Sequence, residues 1–206
     1  MRPQLALQQP QCYDKYFEHL VDFEVDVGDP RDLRLPSKPV WLDCSRGWVT
    51  TRRTPVAYIL PLGKPPKKHL IETARLITPP GILRVGMCQG TYNHMEQLKD
   101  YVDIIALPNT VARSIYVTKE TAHQFHFYEL CNLDELRRYP IRSLNTSMHI
   151  TAAMVGIDLT RRERRPKKLP TFRQDTKLTE AQLELAIENA KAIREALDSH
   201  VLAKGV

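Results

Sequence analysis

Four short stretches of this chain place polar residues directly after an apolar run. Asp43-Cys44-Ser45-Arg46-Gly47 follows Val40, Trp41 and Leu42; Gln89-Gly90 follows the run 82–88; Pro108-Asn109 follows 103–107; Asn145-Thr146-Ser147 follows 141–144. Together they offer one carboxylate, three carboxamides, hydroxyls and small residues. A carboxylate in such a position can act as general base or nucleophile. Carboxamides such as Gln89, Asn109 and Asn145 can read the donor and acceptor edges of a flat polar ligand, a purine-like base for instance, and Ser45 can assist them. Asp43 also fits a plain loop hydrogen bond. Gly90 allows a close approach of backbone to ligand, as it would allow a simple turn.

Other chemistries find less support. Neither G-x-x-x-x-G-K nor G-x-G-x-x-G occurs, and no G-x-S-x-G elbow is present. Cys12, Cys44, Cys88 and Cys131 are widely spaced, without a C-x-x-C pair, so a zinc site is not expected and the thiols read as reduced and mostly buried. His126 lies in the aromatic run Phe125-His126-Phe127-Tyr128 and reads as a hydrogen-bonded core imidazole. His149 falls in the first turns of a helix and reads as solvent-facing. No metal and no cofactor is expected.

The elements that must position these residues alternate. Short apolar runs over 40–43, 57–60, 82–88, 103–107, 124–129 and 141–144 read as buried strands. Helical spacing fills 67–77, 93–101 and 133–139, and a further helix over 146–155 stops at Gly156. Phe23, Val25 and Val27 alternate like a half-buried strand after a polar N-terminal arm. The final helix is marked by a capping box, Thr179 with Gln182, and by Leu183, Ile187, Ala190, Ile193, Leu197 and Val201. Alternating strands and helices specify an α/β fold with a parallel sheet, a TIM-barrel-like domain, in which functional groups gather at the carboxyl ends of the strands. We read one domain over 1–206: an arm and first element over 1–39, a basic connection over 157–176 and the C-terminal helix over 178–203. Only about ten residues separate Gly47 from Ala57, too few for a crossover helix, so the barrel is expected to be reduced or irregular.

Composition bounds the partners. The 206 residues are 42% hydrophobic and 26% charged, as in a globular domain able to bury a core without disulfides or metal. No apolar run is long enough for a membrane span and the start does not read as a signal peptide, so a cytoplasmic location is expected. The net charge is +6, and Arg161, Arg162, Arg164, Arg165, Lys167 and Lys168 crowd into eight positions with only Glu163 opposed. Such a run is either a solvated loop or a phosphate-binding segment, and a nucleic-acid partner is the expectation carried forward.

Read in order, the strand ends resemble the tRNA-guanine transglycosylase superfamily, especially its compact DNA- and phage-associated branch without the zinc subdomain. Trp41-Leu42-Asp43-Cys44-Ser45-Arg46-Gly47 is similar to the family's Asp-x-Gly-Gly-Phe region, and the resemblance makes Asp43 the general base. Val85-Gly86-Met87-Cys88-Gln89-Gly90 resembles the Gly-x-x-Gln-Gly strand end that contacts the base. Ile104-Ile105-Ala106-Leu107-Pro108 resembles the next strand. Phe125-His126-Phe127-Tyr128-Glu129-Leu130-Cys131 lies where the family has a His-Leu-Leu-Gly-like segment, and Ile141-Arg142-Ser143-Leu144-Asn145-Thr146-Ser147 is similar to its Ser-x-Asp-Thr-Ser strand end. The resemblance covers roughly residues 40 to 200, and the shared order of the motifs carries it.

Two departures divide the functional expectations. Asn145 stands where the family has the Asp nucleophile, and Tyr58-Ile59-Leu60-Pro61-Leu62-Gly63 lacks the acid that reads the base. The resemblance therefore implies either a glycosyltransferase-type enzyme exchanging or removing a nucleobase, such as a deazaguanine, in DNA or tRNA, or an inactive nucleic-acid-binding subunit that keeps the pocket. A barrel serving only as scaffold is the third alternative.

Overall fold

In the computed structural model the described residues are 2–27, 35, 37–62, 67–88, 92–161 and 169–199. Eight parallel strands form one sheet in the order β1-β8-β7-β6-β5-β4-β3-β2: β1 (Gln4–Leu7), β2 (Glu24–Asp26), β3 (Val40–Asp43), β4 (Ala57–Leu60), β5 (Leu83–Met87), β6 (Ile104–Pro108), β7 (Phe125–Tyr128) and β8 (Ser143–Thr146). The sheet is a nearly closed barrel. Its remaining seam, between β1 and β2, is bridged by the Asp22 N–H, which donates to the Leu5 carbonyl at 2.8 Å, and by the Leu5 N–H, which donates to Asp22 Oδ2 at 2.9 Å.

The first strand lies in the segment that the sequence presents as a polar arm. Gln4–Leu7 carries only three apolar residues, and its strand character comes from pairing along β8, with Ala6 opposite Asn145. The segment Asp14–Phe17 forms a short helix α1 before β2.

Period-two alternation sorts the strand side chains into two cores. Ala6, Phe23, Trp41, Ala57, Ile59, Val85, Ile104 and Ala106 fill the barrel interior. Leu5, Leu60, Ile105, Leu107, Phe125, Phe127 and Leu144 point outward beneath the helices. Those helices are α2 (Lys68–Ile77), α3 (Tyr92–Lys99), α4 (Arg113–Tyr116), α5 (Leu133–Arg138), α6 (Met148–Ala153) and α7 (Glu180–Asp198). Gly86 belongs to this outer layer: a Cβ at its position would lie 2.9 Å from Val102 Cγ1 and 3.3 Å from Leu98 Cδ2. The glycine lets the turn after α3 sit against β5.

As expected from its length, the β3–β4 connection contains no helix. Arg53, from that connection, does the joining instead. Its guanidinium donates to Glu24 Oε2 at 3.1 Å, to the Leu35 carbonyl at 3.0 Å and to the Lys38 carbonyl, so it ties β2 to the chain leading into β3.

The last helix begins at the capping box read from the sequence, with Thr179 Oγ1 accepting from the Gln182 N–H and Gln182 Oε1 accepting from the Thr179 N–H. It packs on α5 and α6 through Ala186, Ala190, Ile193 and Leu197. Buried Asn189 accepts from the Leu159 N–H at 2.8 Å and donates to the Ile157 carbonyl at 2.9 Å, which fixes the chain after Gly156. Arg194 donates to Asp22 Oδ2 at 2.6 Å and to the Pro3 carbonyl at 3.0 Å, joining the helix to both sides of the barrel seam. No helix among the described residues is long and apolar enough to cross a membrane.

Candidate functional site at the carboxyl-end mouth of the barrel

The inward alternation that fills the interior also selects what reaches its upper rim. On β7, His126 and Tyr128 face inward while Phe125 and Phe127 face out. Tyr128 is in register with Asn145 on β8, and Asp43, in register with Ile59, ends β3. The Tyr128 hydroxyl donates across the mouth to Asp43 Oδ2 at 3.2 Å. Thus Asp43, Tyr128 and Asn145 share one end of the barrel, as expected from the sequence for Asp43 and Asn145.

Asp43 is held twice. Its Oδ1 accepts from the Ser45 N–H at 2.9 Å, a local turn of the kind Asp residues favour, while Oδ2 meets Tyr128. The loop role and the mouth-facing role are therefore filled by the two oxygens of one carboxylate. Ser45, expected to help bind a base, contributes its backbone N–H to this turn. Burial, then the Asp43 charge, pushes the Tyr128 hydroxyl well above the ordinary tyrosine range, whereas a hydrogen bond with the Gln8 side chain opposes the rise. Tyr128 accordingly remains a protonated donor at neutral pH.

The ends of β6 and β7 are fixed from outside by Arg113, a residue without prominence in the sequence. It is 3% exposed, and its Nη2 donates to the carbonyls of Leu107 at 2.8 Å, Tyr128 at 3.0 Å and Glu129 at 2.6 Å. Nη1 donates to Glu135 Oε2 at 2.9 Å, and the guanidinium lies 4.1 Å from the centroid of Phe127. Burial lowers its pKa and the Glu135 carboxylate opposes the shift, leaving the guanidinium charged. Glu129, next along, has φ of 66°, in the left-handed region that a side chain other than Gly, Asn or Asp rarely occupies. The unusual backbone has compensation: its N–H donates to the Asn145 carbonyl at 2.7 Å, and its carboxylate accepts from Thr146 Oγ1 at 3.0 Å and Ser147 Oγ at 2.9 Å. Glu129 thereby clamps the end of β8, including the backbone of Asn145.

Asn145 itself is 1% exposed, and among the described residues neither its Oδ1 nor its Nδ2 has a hydrogen-bond partner. Burying such a group unpaired costs about 1–3 kcal/mol. Asn145 borders a cavity of about 190 Å³ between β1, β2 and β8, together with Gln8, Gln9, Phe23, Phe172 and Gln174. Phe172 and Gln174 come from the connection before α7. That connection is tied down where Gln174 Oε1 accepts from the Gln11 N–H at 3.1 Å and the Leu178 N–H donates to the Tyr13 hydroxyl at 2.7 Å.

The remaining expected residues fare differently. Asn109 is at the same end of the barrel but in an exposed turn; its N–H extends the ladder to the Tyr128 carbonyl at 3.1 Å, and its carbonyl accepts from Cys131 Sγ at 3.5 Å. Gln89, Gly90 and the cations Arg162, Arg164, Arg165, Lys167 and Lys168 lie outside the described residues. Arg161 is exposed and forms an ion pair with Asp158 at 3.1 Å. Two of the four thiols, Cys44 and Cys88, are buried, and Cys12 and Cys131 are exposed, fewer buried than expected.

The two histidines are core residues. His126 Nδ1 bonds Ser143 Oγ at 2.9 Å within the barrel interior, beside Trp41, as its aromatic surroundings implied. His149, read as solvent-facing, is instead fully buried on α6 with its ring edge-on to Phe17 at 4.7 Å. The whole of α6 is covered by neighbouring elements, α7 among them, so the first turns of that helix have no solvent face. Burial lowers the pKa of each imidazole to about 3. Among the described residues no group of three or more His, Cys, Asp or Glu stands together as a metal site.

Comparisons with known protein families, with curated protein sequences and with solved structures found no match to this chain.

Proposed function

We propose that the barrel mouth is a nucleobase pocket and that the protein is transglycosylase-like, acting on or binding a base in DNA or tRNA. One observation carries the reading: a carboxylate, Asp43, is oriented by the Ser45 N–H and the Tyr128 hydroxyl at the same strand-end mouth as the buried carboxamide of Asn145. A general base and an amide able to read a base edge are what such chemistry needs in one place. The ordered resemblance of the strand ends to the tRNA-guanine transglycosylase superfamily supports the same reading.

Asn145 sets the mechanism within it. A carboxamide neither attacks an anomeric carbon nor leaves as a stable anion, so exchange proceeds without an adduct on β8. Without an adduct the exchange is dissociative: the C–N glycosidic bond breaks, its electron pair departing with the leaving base and leaving a sugar oxocarbenium ion, and the incoming base or water forms the new bond from the vacated face while Asp43 takes its proton, so the anomeric configuration is kept. Tyr128, donating to Asp43, holds the carboxylate for that transfer. The cluster at 161–168 would contact phosphates, adding affinity and salt dependence without base readout.

The test is incorporation of radiolabelled guanine or a deazaguanine into tRNA and into duplex and single-stranded DNA. Exchange lost in Asp43→Asn, with no adduct resisting denaturation, supports the enzyme. Binding without exchange in both proteins supports the second reading, an accessory nucleic-acid-binding subunit, which Asn145 at the nucleophile position favours. Replacing Arg161, Arg162, Arg164 and Arg165 by Ala should flatten the slope of log affinity against log salt in either case. An adduct on the unaltered protein that persists in Asp43→Asn would overturn both mechanism and family.

A further inference from the structure

The connection between β3 and β4 runs from the rim of the barrel to its base without a helix. It leaves the rim where the Cys44 N–H donates to the Ile59 carbonyl at 2.9 Å, and it reaches the base where the Val56 N–H donates to the Val40 carbonyl at 2.8 Å. It therefore descends the outer wall from Asp43. Val40 and Leu42, which alternation turns outward on β3, are 1% and 2% exposed, so no uncovered apolar groove is left there for a further helix. The connection presents its own outer face. Exposure alternates along it, and Arg46, Trp48, Thr50, Arg52, Thr54 and Val56 are the open positions.

Two features of that face point to one kind of partner. Trp48 is 40% exposed, whereas the other tryptophan, Trp41, is 1% exposed in the barrel interior. The Trp48 ring stands edge to face with Tyr58 at a centroid distance of 6.2 Å, which sets the plane of the indole while leaving much of it open. A tryptophan serving only to plug the wall would be covered. The second feature is charge: residues 44 to 56 include three arginines and no carboxylate. Arg53 is committed to Glu24, but among the described residues Arg46 and Arg52 are exposed and in no ion pair. Their Cα atoms lie at most about 7 Å and about 14 Å from that of Trp48. An indole open for stacking, with a guanidinium on either side, matches an unpaired base flanked by its phosphates. A duplex keeps its bases stacked and offers such a face phosphates alone. A membrane surface needs a continuous apolar face, and here Thr50, Arg52 and Thr54 separate Trp48 from Val56.

We propose that the β3–β4 connection is a single-strand tract, in which Trp48 stacks an unpaired base while Arg46 and Arg52 hold the phosphates on either side. A strand laid along it arrives at the rim beside Asp43, three residues before Arg46. The assignment rests on the nucleic-acid reading of the mouth, and it adds the strand state of the substrate and the residues that hold it. Trp48 and the two arginines bind the strand and take no part in bond making.

The probe is a dodecameric oligothymidylate, titrated into the full chain and followed by tryptophan emission, against the dA·dT duplex of the same length. The single strand should quench the emission saturably and the duplex should not. Trp48→Ala should weaken binding of the single strand by about 5- to 150-fold, the range of one base stacked on an aromatic ring. Trp48→Phe should remove the quenching and retain most of the affinity. Arg46→Gln combined with Arg52→Gln should lower the slope of log affinity against log salt by about 1.4, two phosphates at about 0.7 each. Both arginines are exposed, so this variant tests the tract even if Trp48→Ala does not fold. Equal affinity for strand and duplex, unquenched emission or an unchanged salt slope would overturn the proposal. So would burial of Trp48 in phosphatidylserine vesicles without quenching by the oligothymidylate. Base exchange whose KM is unmoved by Trp48→Ala would remove the tract and leave the reading of the mouth. Single-strand binding through Trp48, in a protein whose mouth neither exchanges nor binds a base, would do the reverse.

Discussion

The hydroxyl of Tyr128 reaches across the barrel mouth to Asp43 Oδ2 at 3.2 Å, linking β7 to β3 over the top of the interior core. The contact is one of orientation: the protonated hydroxyl fixes the carboxylate while Ser45 holds its other oxygen. Tyr128→Phe should therefore retain the fold and lose function. We expect base exchange, or affinity if the protein only binds, to fall by about 10-fold or more, in line with one hydrogen bond to a charged group. A variant with undiminished exchange or affinity and an unchanged melting temperature would show that Tyr128 does not orient Asp43.

Arg113 supports the same strand ends from behind. Replacing it with Met would leave the carbonyls of Leu107, Tyr128 and Glu129 and the Glu135 carboxylate without their shared cation. The expected destabilisation is about 3–5 kcal/mol, typical of breaking a buried pair by removing one partner. Urea unfolding monitored by tryptophan fluorescence measures it. A loss under about 1 kcal/mol would mean that those groups find other partners.

Acid should unfold this protein earlier than its surface charge alone would require. His126 and His149 are neutral in the folded state, with pKa lowered to about 3 from 6.5 by burial. Between those values the unfolded chain binds as many as two more protons than the folded one, so stability rises with pH there and is lost as pH falls from about 6.5 toward 3. Urea midpoints at pH 7, 6 and 5 should decline, and His149→Leu should make the decline shallower. An identical slope in that variant would show that His149 does not titrate differently on unfolding.

Gly86 offers a packing test. Gly86→Val should destabilise the protein by about 1–3 kcal/mol, the usual range for overfilling a packed layer, because the new side chain meets Val102 and Leu98. Val102→Ala in the same chain should recover part of that loss, giving a coupling energy in a double-mutant cycle. Strict additivity would place the strain elsewhere.

What could be read from the sequence follows from how far each signal extends along the chain. Strands β3 to β8 stand out because apolar runs bounded by polar turns report burial on both faces, and α7 because its cap and apolar stripe are local. β1 does not stand out, since a four-residue strand acquires its identity from a partner far along the chain, β8. Asp43 and Asn145 were visible as polar residues at strand ends. Tyr128 could have joined them: its two-residue spacing from His126 puts both on the inner face, but the aromatic run masked the alternation. Arg113 and Glu129 act through backbone carbonyls and a left-handed φ, neither of which leaves a mark in residue type. The burial of His149 is not legible because a single histidine in a helix does not report which neighbours cover it.

The bond from Arg194 to the Pro3 carbonyl and to Asp22 has a consequence for how the molecule is made. Strands β2 to β7 each pair with a neighbour close in the chain, so that curved sheet can form from successive local additions. Closure cannot: β1 must find β8, and the guanidinium that joins the two sides of the β1–β2 seam arrives near the end of α7. During synthesis from the amino terminus, the first strand must therefore wait, unpaired along the edge destined for β8, until Ser143–Thr146 has emerged. Such long-range closure is the slow kind, and the waiting edge is where a chaperone, or a wrongly paired strand from another chain, would find its opening.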